Sequence, residues 1–214
     1  MFNDLYPSDV AGMVLVDAEH PDEEPRQKEL QHTFPPSVRA SIEKRSGRQR
    51  FWSQVTDQIN LYLGLDRLKL ALGRKYSPIF PDELQHEILF LEQQPKYIEA
   101  VKAENRLDAE SAAQVRASGS LGSRPLIVLT AGIPYAGDED DDLLTDQQKA
   151  KRDNLWIHEL QAQYVNLSSR GKQVVVQGSS HEMPSDRPNA IIAAVHEVWS
   201  DVKLNSLQPT TSKP

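Results

Sequence analysis

The amino-acid sequence predicts an α/β fold, in which a small parallel sheet is combined with a long helical insertion. Three short runs rich in Val, Leu and Ile have the composition of strands buried in a parallel sheet: residues 10–16, 125–130 and 174–177. Elsewhere the apolar residues recur at helical spacing, most clearly over residues 188–202. Strands that alternate with helical segments are typical of parallel sheets whose faces are covered by helices.

Composition excludes several classes of function. The chain has 31 acidic and 24 basic side chains and a net charge of −7, which disfavours nucleic acids and anionic membranes as partners. It has no Cys, so it can form no disulfide, no thiolate metal site and no Cys nucleophile. No apolar run approaches the ~20 residues of a membrane-spanning helix. We therefore predict a cytoplasmic protein without a membrane partner.

Taken in order, the chain is predicted to fall into four parts. Residues 1–21 hold the end of a helix and the first strand, and residues 22–122 are rich in Glu, Gln, Lys and Arg at helical spacing. Residues 123–204 return to the sheet, with a helix over 155–167 before the last strand and another that begins near Pro188. The polar residues 205–214 are predicted to form a disordered tail.

The stretch from residue 172 to residue 199 predicts a functional site. A buried strand ends at Gly178, a polar turn with the sequence GSSH follows, and the last helix begins at Pro188, with Asp186 as a possible cap. His181 is therefore placed in a loop beyond the carboxyl end of a strand. Open α/β sheets bind their ligands at that edge.

Two stretches resemble the α/β-hydrolase family. The run VVVQGSSHEMPSDRPNAIIAAV, which contains His181, resembles the last strand and histidine loop of that family. The run YPSDVAGMVLVDAEHPDE resembles the segment after the nucleophile helix in an esterase-like subgroup with an inserted cap. The resemblance is strong over residues 5–24 and 124–200 and looser between them.

This resemblance implies a fold and a reaction. The fold would be the C-terminal part of an α/β-hydrolase sheet, about three parallel strands with flanking helices, plus a helical cap inserted over residues 22–122. The reaction would be hydrolysis of an ester-like small apolar substrate by a nucleophile, a histidine and an acid, with no cofactor and no metal. His181 would be the general base that activates the nucleophile.

The nucleophile itself is not found in the sequence. No G-x-S-x-G elbow occurs in the 214 residues, and the nearest sequence, residues 119–123, has the wrong order of Gly and Ser and is predicted to be a linker. The elbow is expected upstream of Met1, so the isolated chain is expected to be inactive. The strand at residues 10–16 would lack a neighbour, so the isolated chain is also expected to be poorly soluble or self-associated. The alternative is a catalytically silent remnant of the fold, or a fragment that pairs with another chain.

The family allows two places for the carboxylate that orients the histidine. Asp17 ends the first strand, whereas Asp138 and Asp140 belong to an acidic run after the second strand. A rigid strand end holds a carboxylate better than a solvated acidic loop does, so we predict Asp17, with Asp138 or Asp140 as the alternative. Asp17 could also simply cap the turn that follows it. The acidic run lacks the D-x-D-x-D-G spacing of a calcium loop, and no metal site is expected.

Overall fold

The structure, a computed structural model, describes residues 2–74, 80–136, 138 and 140–207, without the side chains of residues 49–51, 53–62 and 205–207. The chain divides into two compact units, one formed by residues 1–39 with 111–214 and the other by residues 40–110. Each unit is described by itself. Within the described residues, no helix combines the length and the apolar character needed to cross a bilayer.

The described α-helices are α1 (Phe2–Leu5), α2 (Glu23–His32), α3 (Pro36–Leu63), α4 (Leu65–Ala71), α5 (Gln85–Glu92), α6 (Pro95–Ala117), α7 (Asp146–Asn154), α8 (Gln161–Gln163), α9 (Met183–Asp186) and α10 (Pro188–Leu207). Short 3-10 turns span Pro7–Asp9, Asp82–Leu84, Asp141–Leu143 and Tyr164–Leu167, and a π-helical turn spans Leu155–Leu160. The π turn, α8 and the last 3-10 turn follow one another directly, so the helix predicted over residues 155–167 is present with an irregular backbone.

The first unit contains a three-stranded parallel sheet in the order β1 (Met13–Val16), β2 (Leu126–Ala131), β3 (Gly171–Val176). In the register, Met13 pairs with Leu126 and Leu126 pairs with Gly171. Three strands were predicted at these places, and the α/β class is confirmed. Parallel pairing requires long crossovers, and the crossover from β1 to β2 carries the helical insertion.

Burial along the strands differs from the prediction at both edges of the sheet. All six residues of the central strand β2 are buried, as its continuous apolar run predicts. The expectation that the first and last strands are fully buried is wrong. Residues of β1 are half-buried, and β3 alternates between half-buried and exposed positions before Val176. In the described sheet each of these strands has a neighbouring strand on one side only, so its other side has no described strand partner.

Helical layers cover the two faces of the sheet. On one face, α10 packs through Ala194 against Ile127 and Leu129 of β2. On the other face, Tyr164 packs against Leu126 and Val128. Alternate residues of β2 therefore serve opposite cores, because successive side chains of a strand point to opposite faces.

The second unit, residues 40–110, is helical in its described part. Arg67 of α4 donates a 2.9 Å hydrogen bond from Nε to Oε1 of Gln93, just beyond α5. The chain re-enters a helix after Pro81, as predicted, and the buried Gln85 donates from Nε2 to the Phe80 carbonyl at 2.7 Å. The predicted helical segment 22–122 extends beyond this unit, since α2 belongs to the unit that contains the sheet.

The last helix departs from the prediction at two points. It continues to Leu207, so residues 205–207 are helical rather than part of the disordered tail, while residues 208–214 lie outside the described residues. Its predicted apolar face is only partly covered, because Ile192, Val195 and Trp199 are each more than half exposed. These three side chains, spaced three and four residues apart, form an apolar stripe on the outer side of α10.

Candidate active site

Asp17 lies directly after the last residue of β1, where the chain leaves the sheet. Its backbone N–H donates to the Leu129 carbonyl at 2.7 Å, which extends the strand pairing by one residue. Its φ is +42°, in the left-handed region that Asn and Asp tolerate better than most residues. This turn directs the carboxylate along the carboxyl edge of the sheet, and the residue is only 1% exposed.

Three groups bind the buried Asp17 carboxylate. Oδ1 accepts a 2.9 Å hydrogen bond from the backbone N–H of Ala131 and another from the indole Nε1–H of Trp156, also 2.9 Å long. Oδ2 lies 3.0 Å from Nδ1 of His181. A buried carboxylate is costly unless its oxygens are satisfied, and here the first two partners come from the rigid end of β2 and from the helical layer. The hydrogen bonds from Ala131 and Trp156 therefore hold the Asp17 carboxylate in place from two separate elements.

Two glycines bring the histidine loop to this edge of the sheet. Gly178 has a φ of +68° in the turn closed by the 3.2 Å bond from Ser179 N–H to the Val176 carbonyl. At Gly132, after β2, a Cβ atom would lie 2.7 Å from the Val176 oxygen, closer than any ordinary contact. Only glycine lets these two backbones approach so closely. Ile133 N–H then donates to the Ser179 carbonyl at 3.0 Å, which joins the two loops.

The loop that carries His181 is held at both ends. Ser180 donates to Oδ2 of Asp186 from its backbone N–H at 2.7 Å and from its hydroxyl at 2.6 Å. These bonds lower the pKa of Asp186. They also correct the prediction for Asp186, whose described hydrogen bonds hold the histidine loop rather than cap the last helix. Met183, fully buried against Ile127, anchors the far side.

The His181 side chain is 64% exposed although its Nδ1 contacts a buried group. A carboxylate can only accept a hydrogen bond, so we assign the Nδ1–H tautomer, in which Nδ1 donates to Asp17. Nε2 then carries the lone pair. Among the described residues no side chain is hydrogen-bonded to Nε2, so this atom is free to accept a proton from an incoming group.

The structure does not bring the alternative acids to the histidine. Oδ2 of Asp138 lies 3.5 Å from Arg152, and burial raises the pKa of this carboxyl. Asp140 precedes the turn in which Asp141 is paired with Arg152 at 2.6 Å. The carboxylate beside the ring is Asp17. Its role as the acid of a triad stays a prediction.

Sequence reasoning missed the bond from Trp156 to Asp17 and the polar side chains that continue from this indole through Tyr135 to Gln27. Gln27 donates from Nε2 to Oε1 of Glu23 at 2.8 Å and to the Tyr135 hydroxyl at 2.9 Å. The Tyr135 ring in turn packs edge-on against Trp156, with 6.3 Å between ring centroids. The sequence places Trp156 in the helix predicted over residues 155–167, where it was expected on the apolar side of the helix. No sequence pattern marks these residues, because they come from three separate elements.

In the described part of the chain, no group of three or more His, Asp or Glu side chains is close enough to hold a metal ion. A cleft of about 510 Å³ lies between α2 and α7, lined by residues that include Arg26, Leu30, Lys151 and Glu159. Neither Asp17 nor His181 lines it.

Comparison with protein-family models, with curated proteins and with solved structures found no match to this chain.

Proposed function

We propose that this chain carries the base and the acid of an α/β-hydrolase active site, which hydrolyses an ester-like small apolar substrate. The observation that supports this proposal is the 3.0 Å contact between His181, in the loop after the last strand, and the buried Asp17 at the end of the first. Histidine and carboxylate in this arrangement are the part of a catalytic triad that accepts and returns a proton.

In the proposed reaction, Asp17 acts on the histidine alone. It holds the Nδ1–H tautomer and stabilises the imidazolium that forms when Nε2 takes a proton from a nucleophilic hydroxyl. The hydroxyl oxygen attacks the ester carbonyl, and Nε2 then returns the proton to the departing alcohol. Water repeats the two steps to release the acid. Among the described residues no hydroxyl is bonded to Nε2. In this proposal the nucleophilic hydroxyl comes from outside the described residues.

The architecture supports the same proposal. The sheet is parallel in the order β1-β2-β3, and the two proposed residues follow the first and third strands at one edge. Residues 40–110, which are helical in their described part, form a compact unit of their own between β1 and β2 in the chain, where the resemblance places a cap. In this proposal no metal or organic cofactor takes part.

A second candidate is a fragment that acts by pairing with another chain. It is favoured by the open side of β1, which in the described sheet pairs with β2 alone, and by the exposed stripe of Ile192, Val195 and Trp199. Unpaired strand edges and exposed apolar stripes are features that a partner or a second copy would cover. In that case the His181 and Asp17 pair would have no nucleophile to activate.

The two candidates are separated by supplying a nucleophile in a chimera. A chimera would join the N-terminal half of a cap-bearing α/β-hydrolase, through its nucleophile helix, to residue 6 of this chain. The hydrolase proposal expects hydrolysis of p-nitrophenyl esters and labelling by a fluorophosphonate, with turnover lost in His181→Ala. The 214-residue chain alone should give neither. Turnover by the chain alone, or a folded chimera whose activity is unchanged by His181→Ala, would contradict the proposal.

A further inference from the structure

The apolar stripe of α10 lies on the flank of this helix that faces away from β3. Asp201, late in α10, is paired with Arg170, just before β3, at 2.7 Å, so the helix runs antiparallel to the strands. Glu197, one turn earlier, is paired with Lys172 of β3. Two members of the stripe stand two residues before and two residues after Glu197, so they point about 160° away from it, because each helical residue turns by about 100°. The stripe is therefore on the side of the sheet that ends with β1.

The open side of β1 carries backbone groups that the described sheet does not use. Met13 and Asp17 donate their backbone N–H groups to carbonyls on the β2 side, at 2.9 Å and 2.7 Å. Backbone groups of successive strand residues point to opposite sides, so the N–H and C=O groups of Val14 and Val16 point away from β2. A further strand could bind these groups, because an open edge of this kind is a template for strand pairing.

The position of α10 above the sheet fits a second copy of the same helix. Its inner residues pack in one core with Val14 and Val16 of β1 and with two residues of β2, so α10 lies above the groove between these strands. Neighbouring strands are about 4.8 Å apart. If two copies of β1 paired with each other, the two α10 helices would lie two strand spacings apart, about 9.6 Å, and packed helices are separated by about 8–10 Å.

One two-fold axis can serve both the strand edge and the stripe. A Cβ atom on Gly12 would lie 2.5 Å from Cγ1 of Val198, so these two residues lie one above the other. A strand rises about 3.3 Å per residue and a helix about 1.5 Å, so Val14 lies below a point about four residues before Val198. That point is next to Val195, the middle residue of the stripe. An axis through Val14 therefore also passes close to the centre of the stripe.

The stripe can meet a second copy of itself without bringing carboxylates together. Residues 188–203 contain two acidic side chains, Glu197 and Asp201, and both are paired on the flank above β3. The Trp199 ring is held in place by Lys203, whose Nζ lies 3.9 Å from the ring centre. A tryptophan that is ordered before docking is the kind of side chain that contributes most to binding between proteins.

We propose that a second copy of this chain docks on this surface across a two-fold axis. The two β1 strands pair antiparallel, with Val14 opposite Val14 of the second copy, and the two sheets become one sheet of six strands. The two α10 helices pack antiparallel above the junction. Ile192 of each helix then lies against Trp199 of the other, because these residues stand three before and four after Val195. The inference rests on the second candidate function, to which it gives a defined partner, and it does not depend on ester hydrolysis.

Analytical ultracentrifugation of the 214-residue chain over a range of concentrations tests the pairing. The wild type should change from one copy to two as the concentration rises. Val195→Lys should remain a monomer, because two lysines would meet at the axis. Val174→Lys is the matched control, since Val174 is an exposed valine at the other edge of the sheet, and it should dimerise as the wild type does. A wild type that is monomeric at every concentration would overturn the inference and leave this surface to a different chain. So would equal dimer populations in the two variants.

Two further measurements locate the contact. The chain has no Cys, so a single introduced thiol reports on one position. On oxidation Val195→Cys should form a disulfide-linked dimer, whereas Ser200→Cys, exposed on the same helix but about 140° around it, should not. In the wild type, amide hydrogen exchange at Val14 and Val16 should slow by about tenfold or more from the lowest to the highest concentration. Equal cross-linking of the two variants, or exchange that is independent of concentration, would overturn the inference. A chimera without ester hydrolysis would instead refute the hydrolase proposal alone.

Discussion

Replacement of Asp17 by alanine should destabilise the first unit more than its small size suggests. The change leaves the Ala131 N–H and the Trp156 indole N–H buried without an acceptor, and each such loss costs about 1–3 kcal/mol. Alanine also tolerates the left-handed backbone at this position less well, which adds on the order of 1 kcal/mol. These contributions add to about 3–7 kcal/mol, so we expect the free energy of unfolding to fall by at least about 3 kcal/mol.

Two further variants separate the contributions to the loss of unfolding free energy in Asp17→Ala. Asp17→Asn keeps an oxygen for both N–H donors and suits the left-handed backbone, so it should cost only about 1–2 kcal/mol. It turns an amide N–H toward His181, however, and should therefore move the ring proton from Nδ1 to Nε2. His181→Ala removes an exposed side chain from an otherwise satisfied carboxylate and should cost less than about 1 kcal/mol.

Urea unfolding at pH 7, followed by far-ultraviolet circular dichroism at low protein concentration, gives all three values. Long-range proton–nitrogen NMR spectra report the tautomer of His181 in the wild type and in Asp17→Asn. Equal losses in Asp17→Ala and His181→Ala would refute the reasoning, because the carboxylate would then matter only to the histidine. An unchanged tautomer in Asp17→Asn would refute the assigned direction of the hydrogen bond.

Three other outcomes are expected. The raised pKa of Glu23 makes its ionisation unfavourable in the folded state, so the wild type should lose stability as pH rises from 4.5 through about 7. In urea titrations, the free energy of unfolding of Glu23→Gln should match that of the wild type at pH 4 and exceed it by about 1–2 kcal/mol at pH 8. Gly132→Ala should lower the free energy of unfolding by at least about 2 kcal/mol, because its Cβ would meet the Val176 oxygen. Gly47→Ala, in α3 with open space around the new Cβ, should raise it by about 0.5–1 kcal/mol. Equal melting temperatures for the two variants would contradict the close approach at Gly132. The isolated chain should self-associate in light scattering, and Val195→Lys should reduce this; a monodisperse wild-type monomer would contradict the expectation.

The sequence correctly predicted the secondary-structure elements that a short run of neighbouring residues specifies. The strands were placed to within about three residues, because a short apolar run between turn residues can form little else in a protein of this class. Asp17 was singled out because it directly follows a strand, and His181 because it lies in the loop after another strand, at positions that the family resemblance also marks. Parallel strands bring such positions to one edge of the sheet. The burial of β1 and β3 was overestimated, since composition does not reveal whether a strand has one neighbour or two.

The surroundings of the site could not be predicted from the sequence. The Trp156 indole binds Asp17, and the Gln27 amide binds Glu23 and Tyr135, through contacts that no short-range spacing in the sequence records. The hydrogen bond that was predicted at Asp186, a cap on α10, was replaced by two bonds to Ser180, because a short polar side chain has several backbone partners within reach.

The order in which the chain assembles follows from the long crossover between β1 and β2. The contact between Thr130 and Gln173 joins residues 43 positions apart, whereas the bonds from Asp17 to Ala131 and to His181 join residues 114 and 164 positions apart. The equilibrium cost of the longer closure is small, about 0.6 kcal/mol for each doubling of the loop, but contacts between distant residues form slowly. We therefore expect β2 and β3 to pair first during folding, and the histidine to acquire its carboxylate only when β1 docks in the last step.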